Sequence, residues 1–367
     1  MEYVFLLNSC TQPRCHKRIR SFIDLGYTVK VYSFDRNWYS VNKPVDFDIE
    51  ILADISSGSY MKRLYIYFKA LSPIFKKHGK KCIYYCFGMD LALVTLLFKR
   101  KYIYEESDLM YLEYNNILIP FFKFLDRFIQ KRSIASVLTS SGFLDYLYST
   151  VPTNIFVIPN KLDSYFLNQK RPGIKKYNPE KIRFAFIGLL RYPNTIFPFI
   201  KVMSKFNSNY EFHIWGDGPQ YMKDQINQCV KEKDNVVYHG PFRNPLDLSS
   251  IYDTIDINFV CYDTHGRNER VAEPNKLYES IYFNTPIIVS ENTYLAKQVR
   301  LRKNGFILNC FSEEAIYHFF ENLSNEELNH KSFNASNIPL HEIVDRGEQI
   351  SALTAFIKNS SNMDKIR

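Results

Sequence analysis

Residues 273–290 read EPNKLYESIYFNTPIIVS, a helix signal followed at once by a strand signal. Pro274 suits the first position of a helix, because its missing N–H would have no partner there in any case. Residues 284–286 (Asn-Thr-Pro) end the helix, and the β-branched run Ile287 to Val289 predicts a buried strand. The stretch therefore predicts a helix that begins at Pro274 and leads into a strand, as in α/β folds.

The start of this helix has the chemistry of an anion-binding site. The first N–H groups of a helix lack partners within it and lie at the positive end of the helix dipole, which favours phosphate. Lys276 lies in the first turn, and Glu279 shares its face one turn later. A cation for phosphate beside a carboxylate for sugar hydroxyls would suit a nucleotide-sugar. The alternative is an ordinary amphipathic helix capped by Glu273, with Lys276 and Glu279 as a solvated pair.

The composition indicates a globular protein with anionic partners. The chain has 367 residues, too many for one ordinary core, of which 46% are hydrophobic and 23% charged. The net charge of +9 favours anionic partners, namely nucleotide phosphates, an acidic membrane or nucleic acid. Seven cysteines without metal-ligand spacing indicate reduced thiols. Because we find no signal peptide and no apolar stretch of about 18 residues, we expect a cytoplasmic protein, soluble or attached to the inner face of the plasma membrane.

Strand and helix signals alternate along both halves and predict two Rossmann-like, doubly wound α/β domains with parallel sheets. The first domain is expected over residues 1–168 and the second over residues 182–340. Residues 169–181 interrupt the alternation with Pro, Gly and charged residues, which is typical of a linker. A final helix in residues 341–367 is expected to pack back on the first domain. Ligands would bind where the strands end, in a central cleft that the two domains face.

Charged residues follow two predicted strands of the first domain. Arg14 stands in the loop after the first strand, and Glu106 and Asp108 follow a later strand. Because parallel strands end at the same edge of a sheet, these three residues are candidates for contact with an acceptor substrate. The alternative is that Arg14 belongs to a solvated basic face and the two carboxylates to a solvated loop.

The predicted helix from Phe121 to Arg132 is basic and rich in phenylalanine. Such a helix can lie on an anionic membrane surface. The alternative is that its apolar residues pack on the sheet of its own domain; these are Phe121, Leu125, Phe128 and Ile129. Both interpretations remain open from the sequence.

The order of these segments resembles that of the GT-B glycosyltransferases, in particular the large retaining group called family 4. In the second half, similar segments are residues 186–191 (FIGLLR), 215–219 (WGDGP), 284–288 (NTPII) and 304–306 (NGF). In the first half, the similarity is looser and rests on residues 12–14 (QPR), 25–29 (LGYTV) and 157–160 (VIPN). The resemblance covers most of the chain, but its motifs give almost no information about the substrate.

The resemblance implies an enzyme that moves a sugar from a nucleoside-diphosphate sugar to an acceptor hydroxyl with retention, in bacterial surface polysaccharide synthesis. It implies that Arg191 and Lys276 are catalytic and stabilise the leaving diphosphate, and that Glu279 binds the ribose. Further donor contacts are expected at Gly188, Asn194, Gly216, Asp217, Glu273, Asn275 and Leu277. No cofactor is expected beyond the donor substrate, and no metal ion. A lipid-linked saccharide is the preferred acceptor.

The chain also departs from the family pattern. Val271 stands where the family has the first of its two glutamates, and the nearest carboxylates are Glu269 and Glu273. The lysine that commonly follows Arg191 is missing, so its phosphate role is assigned to Lys276. The departures leave a second hypothesis, a non-catalytic GT-B-like scaffold or activator of a partner transferase. Nucleic-acid binding ranks below both, because the basic residues are scattered without a recognised reading motif.

Overall fold

The protein is described from a computed structural model. The description covers residues 2–35, 46–55, 60–175, 177, 180–206 and 209–363. The chain divides into two compact units. Unit 1 comprises Met1–Asn160 and Arg346–Arg367, and unit 2 comprises Lys161–Asp345.

Unit 1 contains a parallel sheet of seven strands with helices on both faces. The strands are β1 (Glu2–Leu7), β2 (Thr28–Asp35), β3 (Glu50–Asp54), β4 (Ile83–Phe87), β5 (Tyr102–Glu106), β6 (Ala135–Leu138) and β7 (Ile155–Val157). Their spatial order is β3-β2-β1-β4-β5-β6-β7, and every neighbouring pair is parallel. The order reverses between β1 and β4, where the loops after the two strands diverge and leave room for a ligand.

Three helices of unit 1 cover one face of this sheet. The helices before Asn160 are α1 (Pro13–Asp24), α2 (Tyr60–His78), α3 (Met89–Leu97), α4 (Ile119–Arg132) and α5 (Ser141–Leu147). Helices α2, α3 and α4 lie side by side and share one hydrophobic core with the sheet, whereas α1 packs on the opposite face. Apolar residues recur along α2 and α4 at helical spacing, so each helix has one stripe that faces the core.

Unit 2 contains a second parallel sheet, of six strands. The strands are β8 (Ile182–Ile187), β9 (Tyr210–Trp215), β10 (Val236–Gly240), β11 (Ile257–Val260), β12 (Ile287–Ser290) and β13 (Gly305–Leu308), in the order β10-β9-β8-β11-β12-β13. The helices are α6 (Pro193–Met203), α7 (Gln220–Glu232), α8 (Leu248–Thr254), α9 (Arg267–Val271), α10 (Lys276–Tyr282), α11 (Tyr294–Arg302), α12 (Glu313–Asn322), α13 (Asn325–Ser336) and α14 (Leu340–Ile343). Here the order reverses between β8 and β11.

The stretch from residue 273 forms the expected helix and strand, with a shifted helix start. Helix α10 begins at Lys276, not at Pro274. Asn275 precedes it with helical backbone angles, and the Leu277 N–H donates to Pro274 O at 3.2 Å. Helix ends commonly differ from their assignment by one or two residues. The four residues of β12 are all buried, so the predicted buried strand is confirmed.

The segments at the predicted domain borders are divided between the two units. Residues 169–181, expected as a linker, belong to unit 2; residues 176, 178 and 179 of that segment lie outside the described residues. The final stretch contains two helices, α14 and then α15 (Glu348–Met363), separated by residues that include Gly347 with φ 76°. Helix α15 belongs to unit 1 and shares a core with α1. Residues 364–367 also lie outside the described residues.

Two features are absent from the described residues. No helix among them is both long and apolar enough to cross a bilayer. In the same part of the chain, no group of three or more His, Cys, Asp or Glu side chains is arranged to hold a metal ion.

Candidate active site

A cavity of about 220 Å³ lies at the carboxyl ends of β8 and β11, where the strand order of unit 2 reverses. In open α/β sheets, this is the place where ligands bind. The cavity is lined by Phe186, Ile187, Gly188, Leu189, Arg191, Tyr192, Phe259, Val260, Tyr262, Asn275 and Lys276. Four of the predicted site residues therefore come together, namely Gly188, Arg191, Asn275 and Lys276.

The turn after β9 packs directly against the turn after β8. The Gly188 N–H donates to Trp215 O at 2.9 Å, and the Gly216 N–H donates to Gly240 O at 2.8 Å. A side chain at Gly216 would place its Cβ 1.8 Å from Gly188 O, a distance that no real Cβ can adopt. Gly216 is thus required by the contact between the two turns. Its proposed contact with a donor stays a prediction.

The backbone at Tyr192 holds Arg191 at the cavity. Tyr192 has φ 71° and ψ 51°, the left-handed region that a residue with a Cβ adopts only at some cost. Its ring stacks on Tyr262 at 4.7 Å, and the Arg191 guanidinium lies 4.8 Å from the centre of the Tyr192 ring. The Tyr192 hydroxyl donates to Glu269 Oε1 at 3.1 Å, and burial raises its pKa. The stack and the hydrogen bond together fix the ring beside Arg191.

Lys276 and Glu279 form a buried ion pair. Their exposed fractions are 6% and 0%, and Lys276 Nζ lies 2.6 Å from Glu279 Oε2. The Glu279 carboxylate also accepts hydrogen bonds from Asn275 Nδ2 at 2.8 Å and from the Tyr252 hydroxyl at 3.1 Å. The alternative of a solvated pair is therefore wrong. Because a buried charge is costly unless it is paired, this arrangement fixes the Lys276 ammonium.

The Lys276 side chain runs past the glycine turn. A Cβ built on Gly188 would lie 3.8 Å from Lys276 Cε, and Lys276 Nζ lies 5.5 Å from the centre of the Phe242 ring. The described residues that line the cavity thus include two cations, Arg191 and Lys276, and no carboxylate. Two cations around one small cavity favour an anionic ligand such as a phosphate.

Three other predicted donor contacts do not line this cavity. Leu277 is completely buried in the core, so its side chain is not available to a ligand, and a contact through its backbone stays a prediction. Asn194 Nδ2 donates to Asp263 Oδ2 at 2.8 Å. Asp217 Oδ1 lies 3.2 Å from Lys223 Nζ. Donor contacts by Asn194 and Asp217 likewise stay predictions.

The two carboxylates near the position of the missing family glutamate have different surroundings. Glu273 accepts a hydrogen bond from the Tyr278 hydroxyl, and burial raises its pKa. Glu269 instead accepts from the hydroxyl of Tyr192, whose ring lines the cavity. The structure therefore places Glu269, rather than Glu273, against a residue of the cavity wall.

The predicted acceptor residues of unit 1 separate into two groups. Arg14 and Asp108 come together, with Arg14 Nη1 3.9 Å from Asp108 Oδ2, and both side chains are partly exposed. Glu106 is the last residue of β5 and is buried, with a hydrogen bond from the Tyr104 hydroxyl. Both predictions for Glu106, acceptor contact and solvated loop, are therefore wrong, because its carboxyl group faces the interior.

A larger groove on unit 2 does not share this chemistry. It measures about 560 Å³ and lies between α6, α7 and α12. Its charged lining includes Lys201 and Glu313, which pair with each other at the surface. We assign the site to the smaller cavity because only that one combines strand ends, a glycine turn and cations held by buried partners.

Sequence reasoning missed the aromatic residues of the site. Tyr192 directly follows Arg191, and Tyr262 comes shortly after a predicted strand, so position after a strand was a usable signal for both. Phe242, which follows β10, had the same signal. Tyr252 gave no such signal, because tertiary packing alone brings it to Glu279.

Comparison with known proteins identifies the second unit. Residues 169–337 match the family of group 1 glycosyl transferases. This part of the chain is a group 1 glycosyltransferase domain. The matched range contains the whole cavity lining, so the site lies within the family domain.

Solved structures with the same architecture include sucrose-phosphate synthase from Thermosynechococcus elongatus and the Anabaena protein Alr3699/HepE in complex with UDP. The first has a TM-score of 0.67 at 12% identity, covering 100% of this chain and 98% of that chain. The second has a TM-score of 0.65 at 12% identity, covering 100% of both chains. The predicted fold of two Rossmann-like domains is confirmed, and the chain has the GT-B fold.

One curated relative shares part of the sequence. The succinoglycan biosynthesis protein ExoL of Rhizobium meliloti (strain 1021) is 24% identical over 136 residues. The match covers 36% of this chain and 34% of the relative. It thus spans about a third of the curated protein's length.

Proposed function

We propose that this glycosyltransferase moves a sugar from a nucleoside-diphosphate sugar to an acceptor hydroxyl, with retention, in the synthesis of a bacterial surface polysaccharide. The main observation that supports this donor is that Arg191 and Lys276 line one cavity beside the Gly188 turn. The UDP bound to an Anabaena protein of the same fold supports a nucleotide donor. The partial relation to a succinoglycan biosynthesis protein supports the polysaccharide role.

Arg191 and Lys276 would act on the leaving group. During transfer, the bond between the anomeric carbon and the diphosphate oxygen breaks, and negative charge grows on the diphosphate. Cations fixed in advance stabilise such charge without reorganising, which is the most effective form of electrostatic catalysis. The Tyr192 stack fixes one cation and Glu279 fixes the other. We propose that these two residues supply the neutralising charge, so that the reaction needs no metal ion.

Glu279 has two proposed roles. Its position under Lys276 makes it a positioning residue, because it fixes the ammonium group at 2.6 Å. A contact with the donor ribose is the second role. It would require the Glu279 carboxylate, which is completely buried, to become accessible to a ribose hydroxyl.

The acceptor would bind unit 1. Arg14 and Asp108 lie together after β1 and β5, at the carboxyl edge of that sheet, and remain accessible. We propose a lipid-linked saccharide as the acceptor and the inner face of the plasma membrane as the place of reaction. Exposed rings on α4 support membrane contact, namely Phe121, Phe124 and Phe128. The alternative that the apolar residues of this helix pack on the sheet is confirmed for Leu125 and Ile129 and wrong for Phe121 and Phe128.

The test is a calorimetric binding screen of the whole protein against UDP-, GDP-, dTDP- and CMP-sugars. We expect one nucleotide class to bind. Lys276→Gln, which keeps a hydrogen-bond donor near Glu279 but removes the charge, should lower turnover by about a hundredfold or more. Arg191→Ala should lower it somewhat less, because the charge of the exposed Arg191 is screened by solvent more than that of the buried Lys276. The matched control is Lys201→Ala, an exposed lysine of the same unit, which should leave binding and turnover unchanged.

Each part of the proposal has its own contradicting result. Failure of all four donor classes to bind would favour the non-catalytic hypothesis. Full donor affinity and turnover in Lys276→Gln and Arg191→Ala would show that the assigned cavity is not the donor site. Inversion at the anomeric carbon, read from the product by nuclear magnetic resonance, would overturn retention alone.

A further inference from the structure

Arg171 lies in the segment predicted as a linker and contacts the C-terminal ends of two helices of unit 2. Its Nη2 donates to Ile281 O at 2.9 Å and its Nε to Tyr282 O at 3.3 Å, at the last two residues of α10. Nη2 also donates to Ala335 O in the last turn of α13, and Nη1 to Ile338 O just after that helix, both at 2.7 Å. The last carbonyls of a helix lack partners within it and lie at the negative end of the helix dipole. One cation thus satisfies two helix ends.

Lys175 repeats this arrangement at a third helix, α8. Its Nζ donates to Tyr252 O in the last turn of α8 and to Ile255 O directly after that helix. Both acceptors are again carbonyls that the helix itself leaves without a partner. The two cations, which are close together in the chain, therefore hold the ends of α8, α10 and α13.

Asn284, shortly after α10, joins the same segment to the end of that helix. Its Nδ2 donates to Pro172 O at 2.8 Å, and its Oδ1 accepts from Arg171 Nη2 at 3.2 Å. The backbone of Asn284 is fixed as well, because its carbonyl accepts from the Ser332 hydroxyl of α13 at 2.7 Å. The segment and the helix end thus hold each other by hydrogen bonds in both directions.

The helices held in this way are the ones that build the candidate site. Helix α10 begins with Lys276, whose Nζ lies 2.6 Å from Glu279 Oε2. Helix α8 carries Tyr252, whose hydroxyl donates to the same carboxylate at 3.1 Å. The seven residues of α10 span about 10 Å. A tilt of about 6° around the C-terminal end of α10 would therefore move Lys276 by about 1 Å.

We propose that Arg171 is a positioning residue for Lys276, and that Lys175 assists it by holding α8. The inference rests on the proposed function, because Lys276 is the cation assigned there to the leaving diphosphate. A displacement of about 1 Å can weaken a catalytic interaction by about a hundredfold. Neither Arg171 nor Lys175 lines the cavity, so each acts through the helix whose end it holds.

The alternative is a purely structural role, in which the same contacts stabilise unit 2 and do not affect the cation. Lower stability changes the affinities for two ligands of the folded protein by the same factor, because both ligands bind the same folded population. A displaced Lys276 instead affects a nucleoside diphosphate more than the monophosphate, which lacks the terminal phosphate. The ratio of these two affinities therefore separates the roles.

The experiment compares the affinities of the whole protein for UDP, GDP and dTDP with those for UMP, GMP and dTMP, by calorimetry. We expect one diphosphate to bind more tightly than its monophosphate. Arg171→Met, which removes the charge and every side-chain N–H donor, should lower the ratio of the two affinities by about five- to tenfold. The matched control is Arg300→Met, an exposed arginine in the last turn of α11, which should leave the ratio unchanged.

Further variants show whether Arg171 acts through Lys276. Arg171→Lys keeps a cation at the helix ends and should restore the ratio to within about threefold of the wild type. Lys175→Met should lower the ratio by about threefold or less, because it acts through α8. Lys276→Gln should lower it by about tenfold or more. Adding Arg171→Met to Lys276→Gln should lower it no further, because the cation that Arg171 positions is already lost.

Three results would overturn the inference. The first is a wild-type ratio in Arg171→Met, which would leave a structural role. The second is a ratio in Lys276→Gln/Arg171→Met well below that of Lys276→Gln, because Arg171 would then act independently of Lys276. The third, an unchanged ratio in Lys276→Gln, would overturn the proposed function and this inference with it. Should thermal unfolding show that Arg171→Met does not fold, Arg171→Lys, alone and combined with Lys276→Gln, decides in the same way.

Discussion

The carboxyl edges of the two sheets have the same topology and opposite chemistry. In unit 2, Arg191 and Lys276 line an accessible cavity. In unit 1, the charged residues at the end of β5 are turned inward, where Glu105 pairs with the buried Arg18 at 2.8 Å. The comparison shows that a strand order favourable to ligand binding does not itself make a site. Which charges reach the ligand depends on the partners that surround each one.

Glu106 shows this most clearly. The Tyr104 hydroxyl contacts both Glu106 and Asp126, with Asp126 Oδ1 at 2.9 Å. A hydroxyl has one proton to donate, so it must accept from one of the two carboxyl groups, and that group must be protonated. Burial accordingly raises the pKa of Asp126 to about 7 and that of Glu106 well above its usual range. These carboxyl groups lie in the interior and are not available to an acceptor.

The largest effect on stability is expected when a glycine that follows a strand at the carboxyl edge of a sheet is replaced by alanine. The two variants compared are Gly216→Ala and Gly88→Ala. Gly216→Ala places a Cβ 1.8 Å from a backbone oxygen and should unfold the site of unit 2, at a cost above about 4 kcal/mol. Gly88→Ala, after β4 in unit 1, meets only Asn8 Nδ2 at 3.5 Å. Its cost should be about 1–3 kcal/mol, from the φ of 100°.

Hydrogen exchange of peptides from β4 and β8 measures the two glycine variants separately, because these strands belong to different units. Equal protection of β8 in Gly216→Ala and in the wild type would contradict the view that the contact between the two glycine turns holds this edge together.

The second largest effect on stability should come from the buried ion pair of unit 1, Arg18 and Glu105. Arg18→Met leaves Glu105 buried with only neutral partners such as the Tyr85 hydroxyl, so unit 1 should lose about 3–5 kcal/mol. Arg18→Met/Glu105→Gln removes both charges and should recover much of that loss. Urea unfolding followed by hydrogen exchange in β5 measures both. A double variant as unstable as the single one would show that packing, and not the unpaired charge, sets the cost.

A smaller effect is expected on the pH dependence of the stability of unit 1. The folded pKa of Asp126, about 7, lies above its unfolded value of about 4. The contribution of the Asp126 side chain to the stability of unit 1 is therefore complete below a pH of about 4, and it is lost as the pH rises through about 7. Asp126→Asn, which keeps the shape without a titrating group, should flatten this dependence of unit 1 stability, measured by thermal unfolding at a series of pH values. An unchanged slope in that variant would place the titration elsewhere.

The smallest effect is expected at the surface of unit 2. Lys201 pairs with Glu313 in solvent, and Lys205 lies 3.5 Å from the same carboxylate. Exposed pairs contribute about 0–1 kcal/mol, so Glu313→Gln should shift the unfolding free energy by less than about 1 kcal/mol and respond to salt. A loss as large as that of Arg18→Met would remove the distinction between buried and exposed pairs.

The sequence predicted the order of strands and helices well, because hydrophobic runs and their stop signals are local properties. Helix α10 and strand β12 are examples, with an error of two residues at the helix start. The short or weakly apolar elements were missed, among them β3 and α13. The break between α14 and α15 was missed as well. Their patterns are too brief or too polar to stand out before they pack.

The candidate site was predicted in part. Arg191 and Lys276 are far apart in the chain, but each has a local signal. Arg191 follows a strand and Lys276 begins a helix, so the sequence predicted both. The structure added Tyr192 and Tyr252, which hold these cations through a stacked ring or through Glu279. No local pattern encodes the stack of Tyr192 on Tyr262 or the hydrogen bond from Tyr252 to Glu279, since each joins residues that are distant in sequence.

By itself, the sequence determined the fold class, the repeated strand-helix alternation and the glycine and cation positions of the second unit, because these depend on periodicity and on turn chemistry. Only the tertiary structure decided which charges are accessible. It buried Glu106 and Glu279, exposed the rings of α4 and left Lys276 beside a cavity. The physical reason is that burial depends on what packs around a side chain, and that is set by residues far away along the chain.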